Sequence, residues 1–257
     1  MLLRFGLVHG IMRILLSLFL SSALLFAASC KTTDKSAAAT SPKAGPPKPA
    51  EALAYSSSER RDYPRVNSYP ARFQHEIRIT GLKPGSTYRY DVKQGSASFG
   101  AQFKTAPDDA ALRTGAAGSI RFVVYGDPEP APGFERDPTP WRDPLNPAQE
   151  RKYLVDRPTG YAANRSIIRE RHPDFVLIAG DLVANGGLQR NWDEFWRQNT
   201  NADSARSFAS SIPVLPVLGN HDYYAGPQDG GYGQPAAEKA VAKYLAYFRV
   251  PADADGH

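Results

Sequence analysis

Two apolar patterns succeed each other along the chain. From residue 73 to 80, Phe73, His75, Ile77 and Ile79 alternate with Gln74, Glu76, Arg78 and Thr80. A period of two predicts a strand buried on one face. GLKPGSTYRYDV follows, with a Pro-Gly turn and then a second alternating strand through Tyr88, Tyr90 and Val92. SFGAQFKTAP supplies a third strand and a proline stop. His75 lies on a strand face and reads as structural. Beyond residue 118 the pattern changes. RFVVYGD, DFVLIAGD and IPVLPVLGNHD are continuous apolar runs, each closed by Gly and then polar residues. GYAANRSIIRERH, between the first two, predicts a helix with Ile167 and Ile168 inward and arginine outward. LQRNWDEFWRQ, between the second and third, predicts a helix with Trp192, Phe195 and Trp196 on one face. Continuous apolar strands alternating with helices predict an α/β fold with a parallel sheet covered on both faces. Ligands of such sheets gather beyond the carboxyl ends of the strands. After Asp127 a proline-rich stretch of about thirty residues precedes the first helix, where about 2–6 is usual. It reads as a lid or substrate wall, or as an insertion of no consequence.

Composition adds location more than chemistry. A chain of 257 residues with 42% hydrophobic residues suits one large domain or two small ones and excludes wholesale disorder. The formal charge of +5 sits at the front: residues 1–30 carry Arg4 and Arg13 and no acid, and residues 31–50 carry four lysines and one aspartate. The other 207 residues balance 25 bases against 25 acids, so no nucleic-acid partner is expected. Arg13 precedes ILLSLFLSSALLFAAS, which reads as a signal peptide over residues 1–29. Cys30 is the only cysteine, so no intrachain disulfide can form. AASC resembles the lipobox of bacterial lipoproteins, a resemblance that implies lipid attachment at Cys30. It also implies a membrane partner through that anchor, at the periplasmic or outer-membrane face of a bacterial envelope. An ordinary cleaved signal and an uncleaved anchor helix are the alternatives. Residues 30–52 then form the attachment cysteine and a disordered Lys/Ala/Pro/Ser linker.

Residues 53–107 resemble the second half of a fibronectin type III-like domain, LKPGSTY matching its turn and corner tyrosine, Tyr88. Such sandwiches take about 100 residues, so the segment is partial.

The three polar clusters carry the chemistry. Each Gly-Asp alone is weak, because glycine permits a turn and aspartate caps the next helix. Three in order, with Asn220-His221 in the third, set carboxylate, amide and imidazole at one sheet edge. That donor set is a hard, divalent-metal environment. No glycine-rich phosphate loop with a lysine is present, and no G-x-S-x-G nucleophile elbow.

GDPEP, GDLVANGG and GNHD resemble the first three motifs of the calcineurin-like metallophosphoesterases. The β-rich segment ahead of them resembles purple acid phosphatases and their bacterial relatives. The likeness spans about residues 70–250, and YLAYFRVPA resembles the segment that follows GNHD. It implies a four-layer α/β/β/α metallophosphoesterase sandwich, present in part over residues 118–257. It also implies two divalent or trivalent metal ions (Fe, Zn or Mn) about 3.5–4 Å apart. In such enzymes a bridging hydroxide attacks the phosphorus of a phosphoester in line, and the metals neutralise the phosphoryl oxygens. Carried over by motif, Asp127 binds the first metal, Asp181 bridges both and Asn220 binds the second. His221 contacts the phosphate and protonates the leaving alcohol, and Asp222 orients His221.

The chain departs from that pattern in three places. Where many members have Asp-x-His it has Asp127-Pro128-Glu129, so Glu129 is a candidate oxygen ligand or points away. Ala184 stands where purple acid phosphatases have tyrosine, three residues after the second aspartate, so their charge-transfer colour is not expected. The family completes its site with a lone histidine and then Gly-His-x-His. Here 36 residues follow His221, with His257 alone among them. His9 lies in the leader, His172 reads as surface, and the resemblance implies the first half of a catalytic domain. Two readings follow: a lipid-anchored phosphatase or phosphodiesterase present as a fragment, or a catalytically inactive envelope lipoprotein derived from the family. A β-sandwich adhesion module is a weaker third.

Overall fold

A computed structural model describes residues 2–8, 11–19, 29–32, 48–49, 51–68, 72–94, 96–116, 119–130, 141–142, 150–151, 157–200, 207–226 and 229–248. The remainder of the proline-rich stretch after residue 130, the rest of the leader and linker, and His257 lie outside them, as do the side chains of Cys30 and His75.

Near the amino terminus the backbone forms β1 (Leu2–Val8), β2 (Ile11–Phe19), β3 (Ser29–Thr32) and β4 (Lys48–Pro49). The predicted strands of the β-rich segment are present as β5 (Arg72–Ile79), β6 (Thr87–Gln94) and β7 (Ala97–Lys104). β5 lies between β2 and β4 in a sheet ordered β1-β2-β5-β4, and β6 lies between β3 and β7. The alternation predicts the buried face: Ile77, Ile79, Tyr88, Tyr90, Val92 and Phe103 are all buried. The Tyr88 hydroxyl accepts from the Lys83 N–H at 2.8 Å, closing the Pro-Gly turn.

Residues 51–68 contain a short 3-10 turn, Glu51–Leu53, then α1 (Ser57–Asp62) and a second 3-10 turn, Pro64–Ser68. Ser56 and Glu59 form a capping box that starts α1. Although the sequence places this stretch beside the β-rich segment, it packs on the α/β core. Leu53 is fully buried in that core, and the Tyr55 hydroxyl bonds the Asp193 carboxylate. Glu59 accepts from the Arg190 N–H at 2.9 Å, and Lys243 Nζ donates to the carbonyls of Ala52 and Ala54 at 2.7 and 2.8 Å.

After the short helix α2 (Asp109–Arg113) comes β8 (Phe122–Tyr125), and β9 (Trp141–Arg142) and β10 (Glu150–Arg151) form a two-residue antiparallel pair. Then α3 (Arg157–Glu170), β11 (Phe175–Ala179), α4 (Gln189–Thr200) and β12 (Val214–Val217) alternate. β13 (Tyr224–Gly226) and β14 (Asp229–Gly230) make a small hairpin, and α5 (Ala237–Tyr247) closes the order. β8, β11 and β12 form a parallel sheet ordered β12-β11-β8, as the apolar runs predict. Trp192, Phe195 and Trp196 of α4 are buried with Ile168, Tyr244 and Tyr247 against Val176 and Ile178 of the central strand. Each such side chain contributes about 2–3 kcal/mol by leaving water. Two residues past the end of α3, His172 adopts a φ of 47°, a left-handed stop ahead of Pro173.

Two expectations change. Ile167 is exposed, and Arg165 is buried instead, bonded through its guanidinium to the carbonyl and side-chain oxygen of Gln198. The face of α3 is set by a polar partner on α4 that no helical period encodes. The sheet is also covered on one face only among the described residues. α3, α4 and α5 all supply side chains to the same core, while Phe122, Val124, Leu215 and Val217 on the other face are 39–58% exposed. Among the described residues no helix is long and apolar enough to cross a membrane.

Candidate functional site

Parallel register brings the three motif ends together. Val176 pairs with both Val123 and Val214, so β8, β11 and β12 finish side by side. There the chain turns sharply. Asp127, Glu129 and Asp181 have φ of 53°, 24° and 50°, in the left-handed region that non-glycine residues adopt at a cost of order 1 kcal/mol or more. Such conformations persist where surrounding bonds hold them. The Asp127 N–H donates to the Gly180 carbonyl at 3.2 Å, tying the first turn to the second. The His221 N–H donates to Asp181 Oδ1 at 2.8 Å, tying the third to the second.

Glycines allow this approach. A Cβ on Gly219 would overlap the Asp181 backbone N and Oδ1 and lie 2.8 Å from its Cγ. A Cβ on Gly186 would lie 2.6 Å from the Asp222 carbonyl carbon. In that space the Gly186 N–H donates to the His221 carbonyl at 3.1 Å and the Gly187 N–H to that of Tyr224 at 2.8 Å. Trp192 Nε1 donates to the Gly186 carbonyl at 2.6 Å, anchoring the loop in the core. Sequence reading quoted these glycines within motifs without giving them this role. The doubled Gly186-Gly187 was the available signal, since paired glycines often mark close backbone approach.

Asp222 is fully buried. Its Oδ2 accepts from the N–H groups of Gly219 and Leu182 at 2.9 and 3.2 Å, and its Oδ1 from that of Val183 at 3.2 Å. Burial pushes the carboxyl up to about 6; the three N–H donors pull it down, and the Asp181 charge adds to the rise. None of its hydrogen bonds goes to the imidazole, so Asp222 organises the backbone that carries His221.

The His221 ring meets other partners. Nδ1 lies 3.0 Å from the Ala184 carbonyl and 3.1 Å from Glu129 Oε1. The Tyr224 ring packs edge-on, centroids 5.2 Å apart at 72°. The His221 side chain is 36% exposed and that of Glu129 only 7%. Glu129, Asp181 and His221 each offer a ligand atom within 4.8 Å of one another, an arrangement able to hold a metal ion. Asp127 and Asn220 are exposed at the ends of their turns, and Asp127 does not join that trio. The six expected groups, Asp127, Glu129, Asp181, Asn220, His221 and Asp222, thus gather at one edge, and among them Glu129 approaches the His221 ring nitrogen at 3.1 Å.

The family profile of the calcineurin-like phosphoesterases matches residues 120–255. The chain belongs to that family. The metallophosphoesterase fold is seen again in the structure of a purple acid phosphatase isolated from yellow lupin (Lupinus luteus) seeds. The two superpose with a TM-score of 0.61 at 16% sequence identity, over 98% of this chain and 40% of that one. At that identity the likeness shows the fold alone. The chain spans less than half the length of that phosphatase chain. A comparison with curated proteins gives no match. Membership of the phosphoesterase family accounts for the order of the motifs, and the described geometry accounts for why the second and third need their glycines.

Proposed function

We propose that this chain carries the first three motifs of a metal-dependent phosphoric ester hydrolase. The observation that carries the reading is the convergence of Asp127, Asp181 and Asn220-His221 on adjoining parallel strand ends, with left-handed backbone at both aspartates. Two metal ions of the Fe, Zn or Mn type would be held by Asp127, Asp181 and Asn220. The donor set fits them: carboxylate and amide oxygens are hard ligands, and the three residues stand at the ends of adjoining strands. Bound ions would supply positive charge to the phosphoryl oxygens and acidify water to a nucleophile near neutral pH. Asp181 Oδ1 also accepts the His221 N–H, which fixes that carboxylate before any ligand arrives. The His221 imidazole, partly exposed beside it, is placed to give a proton to the departing alcohol oxygen.

The expected test uses the full chain with Mn2+, Zn2+ or Fe2+ and two substrates, p-nitrophenyl phosphate and bis(p-nitrophenyl) phosphate. Metal-dependent release of nitrophenol should fall at least about 100-fold in Asp181→Asn. An unchanged rate, or no metal dependence, removes the assignment.

The flanking segments extend the proposal. Within residues 53–107, β5 to β7 form a fibronectin type III-like support for the phosphoesterase unit at 118–257, while residues 51–68 pack with that unit's core. The Tyr88-to-Lys83 bond and the Tyr90 hydroxyl, which donates to the Ser210 carbonyl at 2.7 Å, support that role. Residues 1–29 form an export signal and Cys30 the lipid-attachment site of a bacterial envelope protein. Cleavage before Cys30 would remove β1 and β2 from beside β5. Mass spectrometry of the membrane fraction should find a mature chain beginning at lipidated Cys30. An intact leader in the mature protein would refute this.

A further inference from the structure

We propose that Glu129 is a positioning residue for His221 and not a metal ligand. Its carboxylate, with the Ala184 carbonyl, fixes the imidazole with the proton on Nδ1, so Nε2 is the atom presented to the ligand. The leaving-group part of this inference rests on the phosphoesterase reading; the tautomer and metal parts do not.

The argument starts from the acceptors. Nδ1 lies 3.0 Å from the Ala184 carbonyl oxygen and 3.1 Å from Glu129 Oε1. A carbonyl oxygen has no proton to donate, so a hydrogen bond there requires N–H on Nδ1. That holds for the neutral and the charged ring alike. The lone pair, or the transferable proton, is therefore on Nε2. With its hydrogen in place, Nδ1 has no lone pair to offer a cation. The rest of the residue is also fixed. The His221 N–H is bonded to Asp181 Oδ1, and the Tyr224 ring packs edge-on against the imidazole. Glu129 approaches from the protein side, its side chain 7% exposed against 36% for His221. Its φ of 24° is a strained conformation held between Pro128 and Pro130, both buried. The neighbouring carboxylate, Asp222, is committed to three backbone N–H groups and cannot take this part.

The test compares the full-length wild type with Glu129→Gln and Glu129→Ala. Long-range 1H–15N spectra of the metal-free chains report the His221 tautomer, assigned by loss of its signals in His221→Gln. The wild type and Glu129→Gln, whose amide oxygen still accepts, should show Nδ1–H. Glu129→Ala, which leaves Nδ1 only the Ala184 carbonyl, should show a smaller Nδ1–H fraction; an unchanged fraction assigns the tautomer to Ala184 alone and overturns the role of Glu129. Calorimetric titration with Mn2+ alone should give affinities within about 3-fold across the three proteins. An Nε2–H tautomer in the wild type overturns the proposal, as does a loss of Mn2+ affinity of about 10-fold or more in Glu129→Gln, because even an outer-shell partner of a metal ligand is worth about 10–100-fold. If the wild type turns over, Glu129→Ala should slow an alkyl phosphate by about 100-fold, the range of a general acid. p-Nitrophenyl phosphate, whose leaving group needs no proton, should slow by less than about 10-fold, with KM unchanged. Equal losses on both substrates also overturn it. Absence of any turnover in the wild type counts against the phosphoesterase reading alone, because the spectra and the titration still decide the role of Glu129.

Discussion

Gly219→Ala concentrates the structural argument in one methyl group. The added Cβ would overlap the Asp181 backbone N and Oδ1 and stand 2.8 Å from Cγ. Carbon contacts settle at about 3.5–4 Å, so the β12 end must withdraw from the β11 end by roughly 1 Å. The obstructing atoms include backbone, which cannot swing aside. Such a shift stretches the 2.8 Å bond from the His221 N–H to Asp181 beyond hydrogen-bonding range. It also loosens the grip of Asp222 on Gly219 and Leu182. Overpacking costs about 1–3 kcal/mol, and a hydrogen bond to a charged group about 1.5–3 kcal/mol. The sum, roughly 2.5–6 kcal/mol, is a large part of the stability of a whole domain, about 5–15 kcal/mol. In urea, with a slope of about 2 kcal/mol/M, the unfolding midpoint should fall by roughly 2 M without a change of slope. Gly160→Ala is the control. Gly160 is an exposed residue of α3 with no heavy atom within 4 Å of the added Cβ. Alanine there should stabilise by about 0.5–1 kcal/mol. A Gly219→Ala midpoint equal to that of the wild type, or an equal fall in both variants, would refute the close-approach reasoning.

Asp222 gives the metal-free chain a pH signature. Its folded carboxyl titrates at about 6, above the usual carboxylate value, so its contribution is fully present below about pH 4 and is lost as pH rises through 6. Relative to Asp222→Asn, wild-type unfolding free energy should fall by roughly 2–3 kcal/mol between pH 4 and 7; a constant difference would contradict the burial argument. Tyr90→Phe removes the hydroxyl that reaches the Ser210 carbonyl and should cost about 1–2 kcal/mol, read from the urea midpoint; no change would mean that the contact joins the two segments without stabilising them. Lys243→Met takes one donor from the carbonyls of Ala52 and Ala54 and from Gln189 Oε1. Hydrogen exchange should rise across residues 51–68 while β11 stays protected, and uniform exchange would refute a local strap.

What the sequence determined by itself was element type, element order and the edge where the chemistry gathers. Strand alternation in residues 73–80, the apolar runs ending in Gly-Asp and Gly-Asn-His-Asp, and the Trp192-Phe195-Trp196 face depend on neighbours a few residues apart. Backbone geometry repeats over that distance, so the pattern is written in the sequence, and the buried faces of β5 and β6 and the Trp192-Phe195-Trp196 face of α4 follow from it. Tertiary structure decided which groups meet across dozens of residues. Asp222 faces Leu182 and Val183, not the imidazole beside it in sequence, because β11 and β12 end at the same level. Residues 51–68 join the α/β core because Lys243, Asp193 and the Arg190 N–H await them there. Arg165 turns inward and Ile167 outward because a guanidinium bonded to Gln198 can be buried, which hydrophobic periodicity does not anticipate. Glu129 reached His221 through a strained turn whose direction no local preference for Pro-Glu-Pro specifies. Periodicity is a property of a segment, whereas a site is a property of where segments cross.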